Sequence, residues 1–398
     1  AEAESKKLEE SFPGLNLIIG NKDKLKIPQC FGGKENKREA FSSIRYFYGH
    51  NRAFIKIEDG CNQFCSYCRI PYVRGEKIKS RSIKDILSEI KNLISSGFKE
   101  IVLTGVNLGL YGKDRGASLV DLLKEIELLQ GEFRVRLSSL EPHLLTKELV
   151  TFMAESLKIC PHLHLPLQSG DAYILERMGR KYSPSQYQSL VEIIRKEIPF
   201  IGLSTDVMVG FPGEEEEHFR NTLELLEQIP FAYLHIFSFS PRPLTPGEKL
   251  RPRVPERIIQ EREELLFELA ELKKRAYLNQ QRGRILEMIV EDREGEWVLG
   301  HSENYLYLKA KSSASLRSKI SVKSEKIVDG QIIAQEIYDA DYTGVIKKSD
   351  GYFIVEIAKG HFAPKGVVPL SRYIFSSTGK LVKKELVEQE FFFRIFDG

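Results

Sequence analysis

The sequence predicts an α/β fold: an open barrel of six strand–helix repeats, followed by a small antiparallel β-barrel and preceded by the remnant of another α/β domain. Between residues 53 and 239, six strand-like apolar runs alternate with helical stretches. That alternation is typical of a parallel sheet with right-handed crossovers. Beyond a proline-rich stretch, five short strand-like runs follow one another closely. Short strands at such spacing indicate a small antiparallel barrel.

The segment before the barrel, residues 1–45, predicts a helix near 2–11 and a strand over 15–20. These two elements are too few to close a core, so we interpret the segment as the tail of an α/β domain. The chain starts with Ala1 and not with methionine, and we therefore expect its true start to lie upstream. Cys30 is isolated here, and we expect a small core-like residue and not a ligand.

The six barrel strands are bounded by recognisable helix signals. Apolar residues at helical spacing predict a first helix over 83–96. Ser118 with Asp121 is a capping pair, and Ser183 stands before a proline at the first helical position. The acidic run 214–217 suits the positive end of a helix dipole. The predicted strands are 53–57, 100–104, 133–138, 163–167, 202–210 and 233–239.

Three cysteines follow the first strand directly. Cys61, Cys65 and Cys68 have the spacing C-x3-C-x2-C. Three thiolates can bind three irons of a four-iron four-sulfur (4Fe-4S) cluster and leave the fourth iron open. That iron can bind the amino and carboxylate groups of S-adenosylmethionine and pass an electron to its sulfonium, chemistry that the cofactors supply and the protein positions. Tyr67 is a candidate to stack on the adenine of S-adenosylmethionine.

Zinc and a disulfide are the alternatives for this loop. A structural zinc site needs four ligands, usually as two pairs, and His50 and His143 are not placed to form a second pair. An odd cluster of cysteines disfavours disulfides, because the chain has only Cys30 and Cys160 besides. Reduced thiols and an oxygen-sensitive cluster also fit a reducing cytoplasm.

Other candidate cofactor contacts follow the C-terminal ends of the strands, where the chemistry of such barrels collects. Gly105 would let the backbone approach the methionine end of S-adenosylmethionine. The hydroxyls of Ser138 and Ser139 would reach its carboxylate or its ribose. The full set of candidate contacts is Tyr67, Gly105, Asn107, Ser138, Ser139, Gln168, Val209 and Gly210.

Two further pairs of polar residues lie near these strand ends. Arg180 and Lys181 are candidate partners of a carboxylate or simply solvated surface. His162 and His164 share one face of a strand, and we expect them to be hydrogen-bonded wall residues and not ligands.

The overall composition excludes few classes of protein. The 398 residues are enough for two or three domains. With 59 Lys and Arg against 56 Asp and Glu, the net charge of +3 does not indicate or exclude nucleic acid. No apolar run approaches the ~20 residues of a membrane span, and no signal peptide is visible. We therefore expect a cytoplasmic protein that does not enter a membrane.

A linker with five prolines, residues 241–256, precedes a predicted helix over 255–278. The barrel strands that follow are predicted over 285–291, 296–302, 305–310, 320–325 and 331–337. The segment 304–324 combines Tyr305 and Tyr307 with basic residues and has no acidic residue, which indicates either an RNA-binding surface or a merely solvated face. Its basic residues are Lys309, Lys311, Arg317, Lys319 and Lys323.

Taken together, these motifs resemble the radical S-adenosylmethionine methylthiotransferases, and most of all the bacterial branch that acts on N6-threonylcarbamoyladenosine beside the tRNA anticodon. LTGVN and SSLEP resemble that branch in particular. The resemblance extends from about residue 10 to 340. It rests on GCNQFCSYCRIPYVRG (60–75), IVLTGVNLGLYGKD (101–114), RLSSLEP (136–142), HLHLPLQSG (162–170), TDVMVGFPGE (205–214) and FSPRPLTP (239–246).

The resemblance implies a partial TIM-like radical S-adenosylmethionine barrel over 46–278 and a TRAM-like β-barrel over 279–342. Residues 1–45 would be the remnant of the N-terminal methylthiotransferase domain, and 343–398 an extension of unknown role. It also implies a cluster on the three cysteines, one S-adenosylmethionine that methylates a sulfur and another that yields the radical activating adenosine C2. The implied partners are the tRNA anticodon stem-loop and an external electron donor such as flavodoxin or ferredoxin.

The chain departs from the family in one respect. The family's N-terminal domain carries three further cysteines that bind a second 4Fe-4S cluster linked to sulfur donation, and only Cys30 precedes Cys61 here. We therefore expect this chain to bind one cluster and to cleave S-adenosylmethionine without inserting sulfur, whereas the full-length parent would bind both clusters.

Three other functions stay open on the sequence. A sibling methylthiotransferase would act on isopentenyladenosine in tRNA or on a ribosomal protein aspartate. A non-catalytic protein would keep the barrel as an RNA-binding scaffold. A radical enzyme acting on a peptide is disfavoured by the basic segment 304–324.

Overall fold

The computed structural model describes residues 5–14, 16–20, 23, 26–33, 47, 49–337, 342–349, 352–359, 370–376 and 381–387. Two short helices, α1 (Ser5–Ser11) and α2 (Ile27–Cys30), lie in its first part. The strand predicted over 15–20 is wrong, because residues 16–20 form no strand. An apolar run becomes a strand only when a neighbour takes its backbone hydrogen bonds, and no described strand pairs with this one.

The predicted α/β arrangement with parallel strands is confirmed. Strands β1, β4 and β5 form one parallel set in that order, and β6, β7 and β8 form a second. Bridges from Val135 to Ile159 and from Ser139 to His164 join the two sets into one curved wall. No pairing joins β1 to β8 among the described strands, so the wall is open on that side. The six strands are β1 (Ala53–Lys56), β4 (Glu100–Thr104), β5 (Arg134–Leu137), β6 (His162–His164), β7 (Gly202–Val209) and β8 (Tyr233–Ser238), with β2 (Glu58–Asp59) and β3 (Lys79–Ser80) as a small hairpin.

Helices cover the outside of this wall and bury their apolar faces against it. The capping box of Ser118 and Asp121 forms as predicted, and Ser183 forms another with Gln186. These caps satisfy backbone N–H groups that a helix start leaves unpaired. The helices are α3 (Ile70–Arg74), α4 (Ile83–Ser95), α5 (Leu119–Glu127), α6 (Lys147–Glu155), α7 (Ala172–Arg177), α8 (Pro184–Glu197), α9 (Glu216–Gln228) and α10 (Glu256–Gln280). No described helix has both the length and the apolar composition needed to cross a bilayer.

The five strands after α10 close into a small barrel in the order β10, β11, β13, β12, β9. The predicted antiparallel arrangement is wrong at one seam, because β11 and β13 run parallel. The intervening β12 turns back to pair with β9 and β13, so β13 returns to β11 in the same direction. The strands are β9 (Ile285–Glu294), β10 (Trp297–Ser302), β11 (Tyr307–Lys311), β12 (Lys319–Val328) and β13 (Gln331–Ile337).

A four-stranded antiparallel sheet follows the small barrel. Its strands, described by their backbone, are β14 (Tyr342–Ser349), β15 (Tyr352–Lys359), β16 (Leu370–Ser376) and β17 (Leu381–Val387).

A buried ion cluster joins the open barrel to the small barrel. Glu100 is fully buried and accepts hydrogen bonds from Arg134 at 2.6 Å and from Arg136 at 2.8 Å. Burial alone would raise the pKa of Glu100, but the charges of the two arginines outweigh it and hold that pKa well below its ordinary value. The remaining guanidinium N–H groups donate to carbonyl oxygens of the small barrel, at Glu287, His301, Ser302 and Glu303.

Beside this ion cluster, the loop of the small barrel that carries Tyr305 enters the base of the open barrel. The ring of Tyr305, which has a left-handed φ of 69°, lies 4.8 Å from the Arg136 guanidinium carbon and 5.5 Å from that of Arg52. It also packs on His162, with ring centroids 4.7 Å apart. Cation–π and ring contacts of this kind hold the loop in one position.

We predict that Glu100→Gln lowers the free energy of unfolding by about 3 kcal/mol, because two buried guanidinium groups lose the charge that compensates them. The matched control is Glu148→Gln, which removes an exposed ion pair with Lys124 (2.8 Å) and should cost under about 1 kcal/mol. Denaturant unfolding of the full chain measures both. Equal losses of unfolding free energy in the two variants would contradict the prediction that the buried ion cluster stabilises the fold more than the exposed ion pair does.

Candidate cluster and substrate site

The cysteine loop is a tight turn whose backbone is fixed by neighbouring segments. Gly60 has a φ of 92°, and a Cβ there would lie 2.2 Å from the carbonyl oxygen of Lys77, so a side chain is excluded. Phe64 also adopts a left-handed φ of 52°. The Cys68 N–H donates to the Cys65 carbonyl oxygen at 2.9 Å, and the Ser66 N–H to that of Met178. The loop therefore holds its cysteines on a defined frame.

The three thiols lie close enough to influence one another. Cys61 and Cys65 are buried, and Cys68 is half-buried. Burial, together with the neighbouring Cys65 and Cys68, raises the pKa of the Cys61 thiol to about 11. No three His, Cys, Asp or Glu side chains within the described ranges are arranged around a single metal ion. A 4Fe-4S cluster has a different requirement, because each thiolate binds a separate iron.

Arg180 supports this loop from behind. Its guanidinium donates to Cys65 Sγ at 3.5 Å, to Glu141 at 2.6 Å and to the Pro166 carbonyl oxygen at 3.0 Å. The side chain is only 2% exposed, so it is committed to these partners. Arg180 was a candidate partner for a cofactor carboxylate, but in the structure its guanidinium pairs with the carboxylate of Glu141. The other candidate, Lys181, is exposed.

A cavity of about 390 Å³ lies beside the cysteine loop. Tyr67 and Cys68 line one side of it, and Met208, Phe237 and Phe239 from the ends of β7 and β8 line the other. Tyr67 packs against the same apolar cluster. A flat, apolar slot of this kind is suited to a purine ring.

Gly105 and Asn107 lie against a buried carboxylate that sequence reasoning missed. Glu58 Oε2 accepts from the Asn107 N–H at 2.9 Å and lies 2.8 Å from the place a Gly105 Cβ would occupy. Burial raises the pKa of Glu58 to about 7. Glu58 Oε1 and Asn107 Nδ2 are buried without hydrogen-bond partners among the described residues. Unsatisfied buried groups of this kind often mark a ligand site.

The remaining predicted contacts divide into two kinds. Gln168 has a left-handed φ of 69°, and its buried Oε1 has no partner in the described part of the chain, which suits a ligand contact. Val209 instead packs in the main core. The Gly210 N–H donates to Glu214, and a Cβ on Gly210 would lie 2.6 Å from Ile259, so this glycine permits close helix packing.

A second cavity, of about 730 Å³, occupies the interior of the open barrel. It is lined by the candidate cofactor contacts Ser138 and Ser139 and by His162 and His164, which were expected to be wall residues. The Tyr305 loop of the small barrel forms part of its floor. No local pattern predicted that floor, because Tyr305 is distant along the chain from every strand of the open barrel.

Asp206 lies at the centre of this second cavity wall. His164 Nε2 and His235 Nδ1 contact the same oxygen, Asp206 Oδ1, at 3.2 Å and 3.0 Å. Burial alone would raise the pKa of Asp206, but the two histidines lower it below its ordinary value, so the group is a carboxylate at neutral pH. Every second residue of a strand lies on the same face of the sheet. Alternation along β7 and β8 was therefore the signal in the sequence that could have placed Asp206 and His235 on the cavity wall.

The basic residues of the segment 304–324 are largely engaged. Lys309 pairs with Glu294 and Lys311 with Glu296, both at 2.7 Å. Lys319 pairs with Glu287 at 3.2 Å, and the Arg317 guanidinium lies 4.4 Å from the centre of the Phe98 ring. Tyr305 faces the barrel interior. The structure therefore offers RNA fewer unpaired cations on this surface than the sequence alone suggested.

Comparisons with known proteins agree with this geometry. Residues 55–226 match the family model of the Radical SAM superfamily. The threonylcarbamoyladenosine tRNA methylthiotransferase MtaB of Aquifex aeolicus is 41% identical over 291 residues, 69% of this chain and 70% of that protein. Its namesake in Thermotoga maritima is 45% identical over 224 residues, 56% of this chain and 52% of that protein.

A third relative has a different substrate in its name. The tRNA-2-methylthio-N6-dimethylallyladenosine synthase of Carboxydothermus hydrogenoformans is 37% identical over 301 residues, 72% of this chain and 68% of that protein. The matches thus span from about half to about seven-tenths of these relatives. The chain belongs to the tRNA methylthiotransferases of the radical S-adenosylmethionine superfamily.

Proposed function

We propose that this chain carries the radical core of an enzyme that adds a methylthio group to C2 of N6-threonylcarbamoyladenosine beside the tRNA anticodon. The observation that carries the proposal is the arrangement of three neighbouring thiols at the end of β1, next to a slot lined by Tyr67 and to a larger cavity inside the barrel. Two of the relatives described above are named for the same modified nucleoside.

Cys61, Cys65 and Cys68 would hold one 4Fe-4S cluster. When bound, the cluster supplies the electron that cleaves S-adenosylmethionine. The Tyr67 slot would bind the adenine of that cofactor, and Glu58 with the Gly105–Asn107 turn would face its methionine end. Ser138 and Ser139 would contact its ribose or carboxylate.

The other side chains hold this site in shape. Arg180 places a fixed positive charge beside Cys65 and is itself held in position by its ion pair with Glu141. The Tyr305 loop forms part of the floor of the barrel interior, where a reactive intermediate must be protected from water. The reducing electron would come from an external donor such as flavodoxin or ferredoxin.

A second candidate substrate is the dimethylallyl-substituted adenosine for which the C. hydrogenoformans relative is named. Both candidates are N6-substituted adenosines, so the cluster geometry does not separate them. A non-catalytic RNA-binding scaffold would need none of the cluster-side features, such as the contact between Arg180 and Cys65.

We predict that anaerobic reconstitution of this chain gives about four irons per chain, since one 4Fe-4S cluster has three cysteine ligands available. Cys65→Ala should lose most of the iron and the broad visible absorption of the cluster. Cys160→Ala is the matched control, because Cys160 is also buried but lies beside the ion cluster of Glu100 and the two arginines, and not in the cysteine loop 61–68. About eight irons, or a colourless zinc protein, would refute the assignment.

We predict that Arg180→Gln also loses iron, whereas the neighbouring Lys181→Gln does not. Removing the guanidinium leaves Glu141 without its ion pair and takes the positive charge away from Cys65. Iron retained after gel filtration, together with the thermal unfolding midpoint, measures the effect. Identical iron contents in the two variants would contradict a supporting role for Arg180.

The substrate assignment is tested in cells that lack their own threonylcarbamoyladenosine methylthiotransferase. Expression of the gene that encodes this chain should restore 2-methylthio-N6-threonylcarbamoyladenosine, measured by mass spectrometry of tRNA nucleosides. Its Cys61→Ala variant, in this numbering, is the control and should restore none. Methylthiolation of isopentenyladenosine instead would move the enzyme to the sibling branch.

A further inference from the structure

The cavity inside the barrel has three long cationic side chains on its wall, and their situations differ. Arg52 pairs with Glu291 at 3.1 Å, and Arg136 pairs with Glu100 at 2.8 Å. Lys274, on α10, also lines the cavity. Within the described part of the chain, the Lys274 ammonium has no hydrogen bond or ion pair. Its charge is therefore available to a ligand.

The wall of the same cavity also carries the carboxylate of Asp206. His164 and His235 both contact Asp206 Oδ1. Asp206 Oδ2 has no partner among the described residues. An ionised carboxylate accepts hydrogen bonds and cannot donate them. This side of the cavity is therefore suited to an N–H group of a ligand, and it repels a ligand carboxylate.

The entrance to the cavity lies on the open side of the barrel. Tyr233 on β8 is 55% exposed although it lines the cavity, and the His235 side chain is 59% exposed. Lys274 and Leu278 of α10 line the cavity on this same side. Lys274 and Asp206 thus line one cavity that opens on this side.

We propose that Lys274 is a specificity-determining residue that binds the carboxylate of the threonylcarbamoyl group, while Asp206 Oδ2 accepts the N–H at N6 of the same base. This inference rests on the proposed function and assigns the recognition of its substrate. N6-threonylcarbamoyladenosine has both an N6–H and a carboxylate. The isopentenyl nucleoside has the N6–H but an uncharged apolar substituent, which offers no charge to the half-buried Lys274 ammonium.

The test uses labelled anticodon stem-loops and the cluster-loaded full chain, with binding measured by fluorescence anisotropy. Four stem-loops carry unmodified adenosine, N6-threonylcarbamoyladenosine, its carboxyl methyl ester or N6-isopentenyladenosine. Lys274→Met should weaken binding of the threonylcarbamoyl stem-loop about tenfold or more and leave the other three unchanged. Lys274→Arg should retain most of the affinity, and Arg275→Met, at the exposed neighbouring position, should have no effect.

Asp206→Asn gives a second, independent pattern. It removes the charge but keeps the shape, so it should weaken all four stem-loops by a similar factor, because each has an N6–H, including the amino group of unmodified adenosine. A thermal unfolding midpoint close to that of the wild type confirms that each variant is folded. The ester and the Lys274→Met variant form a double-mutant cycle whose coupling reports direct contact.

The outcomes distinguish a failure of the role proposed for Lys274 from a failure of the proposed function. If the wild type prefers the threonylcarbamoyl stem-loop and Lys274→Met keeps that preference, the role of Lys274 is refuted and the proposed function stands. If Lys274→Met weakens all four stem-loops equally, Lys274 contacts the RNA backbone and the inference is again overturned. If the wild type does not distinguish threonylcarbamoyl from unmodified adenosine, the substrate in the proposed function fails.

Discussion

The carboxylate of Glu100 is the contact on which the rest of the structure depends. A charge with no solvent exposure is expensive to bury, and here two arginines compensate it on adjacent strands. Arg134 and Arg136 have more donors than one carboxylate can accept, so the remaining donors bind backbone carbonyls of the small barrel. One buried charge thereby fixes the core of the first domain and the position of the second. The floor of the substrate cavity follows from that position, because Tyr305 lies between the bonded carbonyls and the barrel interior.

The cysteine loop depends on a comparable arrangement at the opposite end of the strands. Arg180 is nearly as buried as the Glu100 cluster, and it links the loop to Glu141 and to the strand-end carbonyl of Pro166. A thiolate is stabilised by a nearby positive charge and penalised by burial. Burial alone makes the thiol of Cys61 harder to ionise. Metal binding and fixed cations are the two ways to offset that penalty, and the loop has access to both.

Local signals explain which parts of the fold and the site were predictable from sequence. The six strands, the cap at Ser118 and the cysteine spacing are encoded within short windows, and the structure has the strands and the cap where they were predicted. The parallel seam between β11 and β13 depends on where β12 pairs, which no local pattern specifies. The partners of Lys309 and Lys311 are acidic residues on neighbouring segments, so a basic run looked more available to RNA than it is. Asp206 was missed, and Tyr305 was expected on an RNA-binding or solvated surface, because each gains its role from residues far along the chain.

An incomplete barrel suits a substrate that is one residue of a large RNA. A closed eight-stranded barrel would have side chains filling its interior and access only from its ends. Here β1 and β8 remain unpaired with each other, and Tyr233 and His235 line a lateral entrance instead. A nucleotide splayed out of a single-stranded loop can present its base to such an entrance while its phosphates stay outside. The missing strand pair between β1 and β8 therefore suits this barrel to a base that belongs to a much larger partner.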